Sequence, residues 1–144
     1  MNSTEDLIAD FQFLFSPEER FRYLIDLGRE LPAMDNSLKT EETRIHGCQS
    51  GVWIKSELRE SAPPTIHFNA DSDSQLVKGL VAIVMHLTND KPPHEIIETD
   101  VKAVFEQLNL EHHLSPNRKN GLNAMVKRVK EIATGYQSTL GEAS

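Results

Sequence analysis

The single cysteine of this chain, Cys48, lies in a segment whose composition suits chemistry better than packing. The segment, residues 44–53, reads Arg-Ile-His-Gly-Cys-Gln-Ser-Gly-Val-Trp, with one glycine directly before the cysteine and a second glycine shortly after it. Glycines on both sides of a polar stretch allow φ > 0 and predict a loop that leads into a strand. A lone thiol there forms no internal disulfide, but it can act as a nucleophile, accept a group or pair with another molecule. The other interpretation, a small inert hydrophobe, fits most lone cysteines and stays open at this point.

The neighbours of Cys48 bear on its reactivity, because a cysteine reacts as its thiolate, which nearby positive charge and solvent access favour. Arg44 and His46 are near in sequence, and on an extended strand His46 points to the same side as Cys48. A catalytic Cys–His pair is therefore an option, although His46 is equally a polar residue at a strand end. None of the six histidines forms a recognised triad or zinc spacing with Cys48. The sequence also lacks a CxxC pair, a Walker loop, a dinucleotide fingerprint and an HExxH motif.

Length and composition narrow the class of protein. A chain of 144 residues predicts a single domain, residues 1–144, with a hydrophobic core of its own. One cysteine permits no disulfide framework and no cysteine cage for zinc or an iron–sulfur cluster, which fits a reducing compartment. The acidic N-terminus lacks the pattern of a signal peptide, and no apolar run approaches the roughly 18 residues of a membrane span. We therefore expect a cytoplasmic protein without a membrane segment.

Charge argues against nucleic acid as the main partner. The net charge is −7, whereas phosphate binding requires clustered lysine and arginine. One basic cluster occurs towards the C-terminus, and we interpret it as the solvated face of a helix. It consists of Arg118, Lys119, Lys127, Arg128 and Lys130.

Apolar spacing predicts two helices at the start of the chain. The first carries a stripe formed by Leu7, Ile8, Phe11, Leu14 and Phe15. The second begins at Ser16, which caps it, with Pro17 at its first position and Glu19 completing a capping box. It should end near Gly28 to Pro32, because proline cannot continue a helix.

The middle of the chain predicts antiparallel β-structure. Residues 52–59 and 65–70 alternate apolar and polar side chains, and the Ser-Ala-Pro-Pro turn between them predicts a hairpin with one covered face. Trp53 falls on the polar face of this hairpin, and we interpret it as sheet packing. A short strand at about Thr43 to His46 adds a third member to the predicted sheet.

Helices return after the hairpin. Residues 71–75, Asp-Ser-Asp-Ser-Gln, predict a helix start with either serine as its cap, and the apolar residues 76–85 predict a buried central helix. Shorter helices follow from about His94 and from about Asp100 to Leu108. A last helix starts near Pro116, with an apolar stripe of Leu122, Met125, Val126, Val129, Ile132, Ala133 and Tyr136. This order predicts an α+β fold, a small three-stranded antiparallel sheet with helices packed on one face.

Three stretches, in this order along the chain, resemble the SufE family of sulfur acceptor proteins. The most specific is the Gly-Cys-Gln-Ser-Gly-Val-Trp core at residues 47–53. Residues 71–80 resemble the family's Asp-rich cap followed by Val-Lys-Gly-Leu, and residues 114–125 resemble its C-terminal Arg-x-x-Gly-Leu segment. The likeness covers nearly the whole chain and implies the fold that the SufE and IscU types share.

The resemblance implies a function for Cys48. Members of this family partner a pyridoxal-phosphate-dependent cysteine desulfurase of the SufS or CsdA type, accept its persulfide sulfur on their own cysteine and stimulate it. They deliver that sulfur to a downstream scaffold for iron–sulfur cluster assembly, without a cofactor or metal of their own. Cys48 is the matching cysteine, and in the family the resting thiol lies in a sheltered pocket. With Cys48 alone the chain could not hold a cluster by itself, unlike the IscU-type scaffolds.

Three further residues are candidates for a supporting role. Arg118 matches the family's C-terminal arginine and could aid docking or stabilise the thiolate; otherwise it is a solvated residue at a helix start. Asp73 matches the aspartate before the central helix and could tether the cysteine loop; otherwise it is an ordinary helix cap. His46 is the third candidate, because it lies so near Cys48 in sequence.

Two other classes of function remain open. A thiol-dependent enzyme, a hydrolase or peroxidase with Cys48 as nucleophile, needs a base beside the thiol and turnover without a partner. An interaction module binds its partner with Cys48 incidental. The interpretation that we favour is the sulfur carrier, which is not itself an enzyme.

Overall fold

The computed structural model describes residues 4–14, 16–47, 50–110 and 114–143, with side chains up to residue 140. Cys48, Phe15 of the first apolar stripe and the pair His112 and His113 lie outside these ranges. The elements run in the order α1 (Thr4–Gln12), α2 (Pro17–Arg29), β1 (Val52–Arg59), β2 (Thr65–Ser72), α3 (Gln75–Thr88), α4 (Pro93–Glu98), α5 (Val101–Gln107) and α6 (Pro116–Ala143), with a 3-10 turn at Asn36–Leu38.

Helix α2 has the predicted limits. The Ser16 hydroxyl accepts a hydrogen bond from the Glu19 backbone N–H at 3.1 Å, and the helix ends at Arg29, before Pro32. Helix α1 is joined to it by the Tyr23 hydroxyl, which donates to the Asp10 carboxylate at 2.8 Å. Burial, together with that carboxylate, raises the pKa of Tyr23 far above its usual value. The phenol therefore stays protonated and keeps donating at any ordinary pH.

Helix α3 is the buried central helix that the sequence predicts. Its residues 80–85 are each at most 5% exposed, and Ser74 caps it by accepting from the Val77 N–H at 3.4 Å. Helix α2 packs across α3 at two glycines. A methyl group at Gly79 would overlap the Leu24 carbonyl oxygen, and one at Gly28 would lie 2.9 Å from the Gly79 nitrogen. Glycine therefore brings the two backbones into direct contact.

The hairpin also has the predicted alternation. Strands β1 and β2 pair antiparallel from Val52 opposite Ser72 to Arg59 opposite Thr65. The covered face joins the core next to α3 and consists of Val52, Ile54, Ile66, Phe68 and Ala70. The opposite face carries Trp53, Lys55, Glu57 and Arg59, so the helices cover one side of the sheet.

The prediction of a three-stranded sheet is wrong for the described residues, which form two strands. The segment expected as the third strand makes a single bridge, Arg44 opposite Trp53, with hydrogen bonds from Ile45 N–H to the Val52 carbonyl (2.8 Å) and from Ile54 N–H to the Thr43 carbonyl (2.9 Å). The chain turns on both sides of this bridge. The Thr43 hydroxyl donates to the Leu38 carbonyl at 2.6 Å, which holds the preceding turn, and the next turn follows at Gly47. Pairing therefore stops after one bridge.

Helix α6 packs against α4, and one side chain joins them by hydrogen bonds. The Lys130 ammonium donates to the Ile97 carbonyl at 2.9 Å and to the Thr99 carbonyl at 2.6 Å, at the C-terminal end of α4. Cations suit that end of a helix, whose last carbonyls lack partners within it. Lys130 therefore departs from the solvated basic face predicted from sequence, whereas Arg118, Lys119, Lys127 and Arg128 are exposed.

Candidate functional site

The candidate site is the segment around Cys48, whose two flanks the structure describes. On the N-terminal side Gly47 has φ +94°, a conformation that favours glycine because other residues clash there. The position that a Cβ atom would take at Gly47 lies 3.6 Å from the Ala124 Cβ. This flank therefore turns at a glycine and rests against α6.

On the C-terminal side the backbone of Gly51 is held at both its polar groups. The Gly51 N–H donates to the Asp73 carboxylate at 3.0 Å. The Gly51 carbonyl accepts from the Ser72 hydroxyl at 2.8 Å and from the Asp73 N–H at 3.1 Å. Three hydrogen bonds from two consecutive residues thus fix the point at which the cysteine segment enters β1.

The junction of β2 and α3 supplies these groups through a division of roles. Ser74 is the helix cap, so the Asp73 carboxylate does not cap α3 and bonds Gly51 instead. The Ser72 hydroxyl, which the sequence also offered as a cap, lies at the end of β2, donates to Gly51 and accepts from the Ser74 N–H at 3.2 Å. The structure therefore places Asp73 beside the flank of Cys48.

Trp53 lies against Gly51 on the outer face of the hairpin. Residues two apart on a strand point to the same face, and the indole occupies the space where a side chain at Gly51 would be. A Cβ atom at Gly51 would come 2.5 Å from the Trp53 ring and 2.7 Å from an Asp73 carboxylate oxygen. Gly51 therefore needs to be glycine because two neighbouring side chains fill its space.

A buried carboxylate lies opposite Trp53 in the hairpin. Asp71, opposite Trp53 in the register, has a side chain only 9% exposed. One carboxylate oxygen lies 3.0 Å from the Lys39 ammonium and the other lies 3.3 Å from that of Lys78. Burial alone would raise the pKa of Asp71, but hydrogen bonds from Lys39, the Ser72 N–H and Lys78 outweigh it and hold this pKa below its usual value. Asp71 is therefore a charged residue at neutral pH.

A cavity of about 330 Å³ opens beside the cysteine segment. Ser50 lines it from that segment, Ser74 from the start of α3, and Ser115 and Arg118 from the start of α6. Its apolar wall consists of Val77, Leu80, Leu122 and Met125. The structure thus brings Arg118 and the residue two positions after Cys48 to one cavity, although these two lie far apart in sequence.

His46 lies elsewhere. Its Nε2 atom is 3.4 Å from a Glu41 carboxylate oxygen, and the two side chains are 71% and 77% exposed. It lines a second, wider groove between the turn at residues 41–46 and the face of α6 that carries Lys127 and Arg128. His46 is therefore not on the cavity that Arg118 lines.

Sequence reasoning did not find Ser72, Lys39 or Asp71 as neighbours of the site. The only local signal was the excess of aspartate and serine at residues 71–74, which we interpreted as capping. In the structure Asp71 lies inside β2, one residue beyond the predicted strand, and an acidic residue inside a strand is unfavourable unless it has a partner. Its partner Lys39 lies 32 residues earlier, and sequence spacing does not indicate such a contact.

Two other kinds of feature are absent from the described part of the chain. No three His, Cys, Asp or Glu side chains there come together as a metal-binding group. None of the helices there has both the length and the apolar character needed to cross a bilayer.

Similarity to known proteins agrees with this picture. Among solved structures, the solution structure of a hypothetical protein from Thermus thermophilus superposes with a TM-score of 0.73, over 94% of this chain and 96% of that one. The two sequences are 16% identical, so this match supports the fold alone.

The sequence matches are closer. An uncharacterised SufE-like protein of Rhizobium meliloti (strain 1021) is 40% identical over 94% of this chain and 97% of its own length. An uncharacterised SufE-like protein of Rhizobium etli is 40% identical over 92% of this chain and 90% of its own. The family model of SufE, described as an Fe–S metabolism associated domain, matches residues 5–133. Because this match spans both flanks of Cys48 and most of the chain, the protein belongs to the SufE family and has a role in iron–sulfur metabolism.

Proposed function

We propose that this protein is a cytoplasmic sulfur carrier that works through Cys48. It accepts persulfide sulfur from a pyridoxal-phosphate-dependent cysteine desulfurase of the SufS or CsdA type, stimulates that enzyme, and delivers the sulfur to a scaffold for iron–sulfur cluster assembly. The observation that carries the proposal is the match to the SufE family over residues 5–133, which includes the Gly-Cys-Gln-Ser-Gly core.

The transfer is a thiol exchange that needs no cofactor on this protein. The Cys48 thiolate attacks the outer sulfur of the desulfurase persulfide. A sulfur–sulfur bond forms to Cys48 as the donor's sulfur–sulfur bond breaks, and the donor cysteine leaves as a thiolate. Sulfur is passed on without net oxidation or reduction, so one cysteine on the carrier is sufficient.

The geometry beside Cys48 supports this role. A carrier must present its thiol to another protein from a fixed base, and Gly51 is such a base because Ser72 and Asp73 hold its backbone. We assign Asp73 the role of tether for the cysteine segment. We propose that the cavity beside Ser50 shelters the thiol from oxidation and that Arg118, which lines the same cavity, favours the thiolate.

The test is a sulfur-transfer assay with a desulfurase, pyridoxal phosphate and cysteine. We expect intact-mass analysis to show one added sulfur on the wild-type protein, and we expect the desulfurase to turn over faster in its presence. Cys48→Ser should abolish both effects, since the hydroxyl cannot hold a persulfide. Pull-down with candidate desulfurases from native cells will distinguish the Suf type from the Csd type.

The proposal fails if Cys48→Ser stimulates the desulfurase as well as the wild type does, which would indicate an interaction module. Binding should therefore be measured separately, by titrating both variants into the desulfurase. A carrier requires that Cys48→Ser still binds while sulfur transfer is lost.

One observation favours the alternative, a thiol-dependent hydrolase or peroxidase. His46 lies within 3.4 Å of the Glu41 carboxylate, and a histidine oriented by an acid is the usual base beside a catalytic cysteine. Such an enzyme would turn over thioester or peroxide substrates without any partner, and His46→Gln would reduce that turnover. Turnover without a desulfurase would support the enzyme, and its absence would support the carrier.

A further inference from the structure

Lys39, just after the 3-10 turn, contacts both the buried carboxylate of Asp71 and the ring of Trp53. Its ammonium is 3.0 Å from the Asp71 carboxylate and 5.3 Å from the centre of the Trp53 ring, within the range of a cation–π contact. Because Trp53 and Asp71 are opposite one another in the hairpin, a single cation bridges a cross-strand pair. These contacts restrict the orientation of the indole, which a strand position alone leaves free to adopt other rotamers.

The indole in turn restricts Gly51. The ring and the Asp73 carboxylate both occupy the space where a Cβ of Gly51 would stand. If the ring rotated away, the backbone of Gly51 would gain room to leave the Asp73 and Ser72 hydrogen bonds. The position of the ring therefore helps to hold the backbone of Gly51, the C-terminal flank of the cysteine segment, in place.

We infer that Lys39 is a positioning residue for Cys48: it holds Trp53 against Gly51 and so sets the reactivity of the thiol. In this scheme Lys39 takes no part in the sulfur transfer itself, and it acts on Cys48 through the indole of Trp53. The inference rests on the proposed function only in taking Cys48 as the working residue.

Lys78 provides a matched control. It contacts the other oxygen of the same Asp71 carboxylate at 3.3 Å, and its side chain is 31% exposed, compared with 22% for Lys39. Replacing either lysine by methionine leaves Asp71 with one cation and keeps an apolar stem. The two variants differ in their effect on Trp53. Lys39→Met removes the cation–π contact to the ring, which is the one found among the described residues, whereas Lys78→Met leaves it in place.

The experiment measures two quantities on Lys39→Met and Lys78→Met. The first is the rate at which iodoacetamide alkylates Cys48, the single thiol. The second is the fluorescence emission of Trp53, the single tryptophan. We expect Lys39→Met to shift the emission and to speed alkylation roughly two- to fivefold, which corresponds to the strength of one cation–π contact. Lys78→Met should alter neither beyond error, and Lys39→Arg should restore both, since a guanidinium also stacks on an aromatic ring.

Circular dichroism and urea unfolding will verify that each variant is folded before its rate is compared. Equal alkylation rates in Lys39→Met and Lys78→Met would overturn the inference, as would a shift in emission without a change in rate. A failure of Lys39→Arg to restore the rate would also overturn it. The assay contains no desulfurase, so its outcome is independent of the sulfur-transfer test, and either proposal can fail alone.

Discussion

The two ends of the hairpin differ in whether their carboxylates are buried or exposed. At the end that leads to Cys48, the Asp71 side chain is 9% exposed and lies between two lysine ammonium groups. At the turn end, Asp90 is 52% exposed and lies 2.8 Å from His67 Nδ1 and 3.5 Å from the Arg59 guanidinium. Both ends belong to one continuous ladder of paired residues.

This difference shows that strand pairing does not explain the buried charges. The turn end keeps the same pairing, yet its Arg59 and Asp90 side chains are both half exposed, and exposed ion pairs add little to stability. The buried carboxylate lies opposite Trp53, at the end of the hairpin that leads to Cys48, and is followed in sequence by the groups that hold Gly51. We therefore attribute the buried cluster to the need for a fixed flank rather than to the hairpin itself.

Removing the buried charge should have the largest effect. Asp71→Asn leaves Lys39 and Lys78 without their anion, and we expect a loss of about 2–3 kcal/mol in the free energy of unfolding, less than for a fully buried pair because both lysines keep some solvent contact. Asp90→Asn at the turn end, where asparagine also tolerates the positive φ of that residue, should cost less than about 1 kcal/mol. Urea unfolding of the two variants is the measurement. An equal or larger loss in Asp90→Asn would remove the contrast between the ends.

Crowding the held glycine should have the next largest effect. Gly51→Ala pushes a methyl group into the Trp53 ring and the Asp73 carboxylate, and we expect a cost of about 1–2 kcal/mol, typical of overpacking. Gly135 in α6 is the matched control, since nothing lies within 4 Å of the Cβ position there. Gly135→Ala should stabilise the protein by about 1 kcal/mol because alanine is the better helix former. Thermal unfolding will give both signs, and a stabilising Gly51→Ala would contradict the packing that we describe.

Acid should lower the free energy of unfolding through protonation of Asp71, and Asp71→Asn should remove this part of the pH dependence. The pKa of Asp71 is lower in the folded protein than its ordinary value of 3.8, so its contribution to stability is present above pH 3.8 and is lost as the pH falls through the folded pKa. The difference in stability between wild type and Asp71→Asn should therefore shrink as the pH is lowered from 6 to about 3. Urea midpoints across this range will test it. A difference that stays constant would mean that the Asp71 charge does not contribute.

The smallest effect should come from the exposed turn end. Arg59→Met removes contacts of 3.5 Å to the carboxylates of Asp90 and Glu57. The side chains of all three residues are at least half exposed. We expect a change within about 0.5 kcal/mol, as for most surface ion pairs. Urea unfolding in low and high salt will show whether even this amount is electrostatic. A loss comparable to that of Asp71→Asn would show that both ends depend equally on their charges.

Local signals were sufficient to predict most of the elements. The cap at Ser16, the cap at Ser74 and the alternation of β1 and β2 depend on residues a few positions apart, and the structure has them where the sequence indicates. The prediction of a third strand was wrong, and the reason is also local. Thr43 bonds back to Leu38, and Gly47 has a positive φ, so turns on both sides leave room for one bridge. The threonine and the glycine that make these turns are in the sequence, but the prediction of the strand did not take them into account.

The site was less predictable, because its contacts join residues distant in sequence. The Asp73 carboxylate reaches Gly51 across 22 residues, and neither residue type alone distinguishes a tether from a helix cap. Lys130 shows the same limit, since its spacing in α6 fits a solvated face although it binds carbonyls of residues 97 and 99. Only the three-dimensional arrangement separates these roles, whereas the prediction that Cys48 is the functional residue comes from the composition of its own segment and from its match to the family.

The crossing of α2 and α3 has a consequence for how far the sequence can vary. At Gly79 even a methyl group meets the backbone of Leu24, which has no rotamer by which to move aside. In a saturation library selected for folded protein, we expect positions 28 and 79 to accept glycine and little else, whereas position 135 accepts most helix formers. Two residues without side chains thus restrict the mutational freedom of this chain more than many of the large side chains around them.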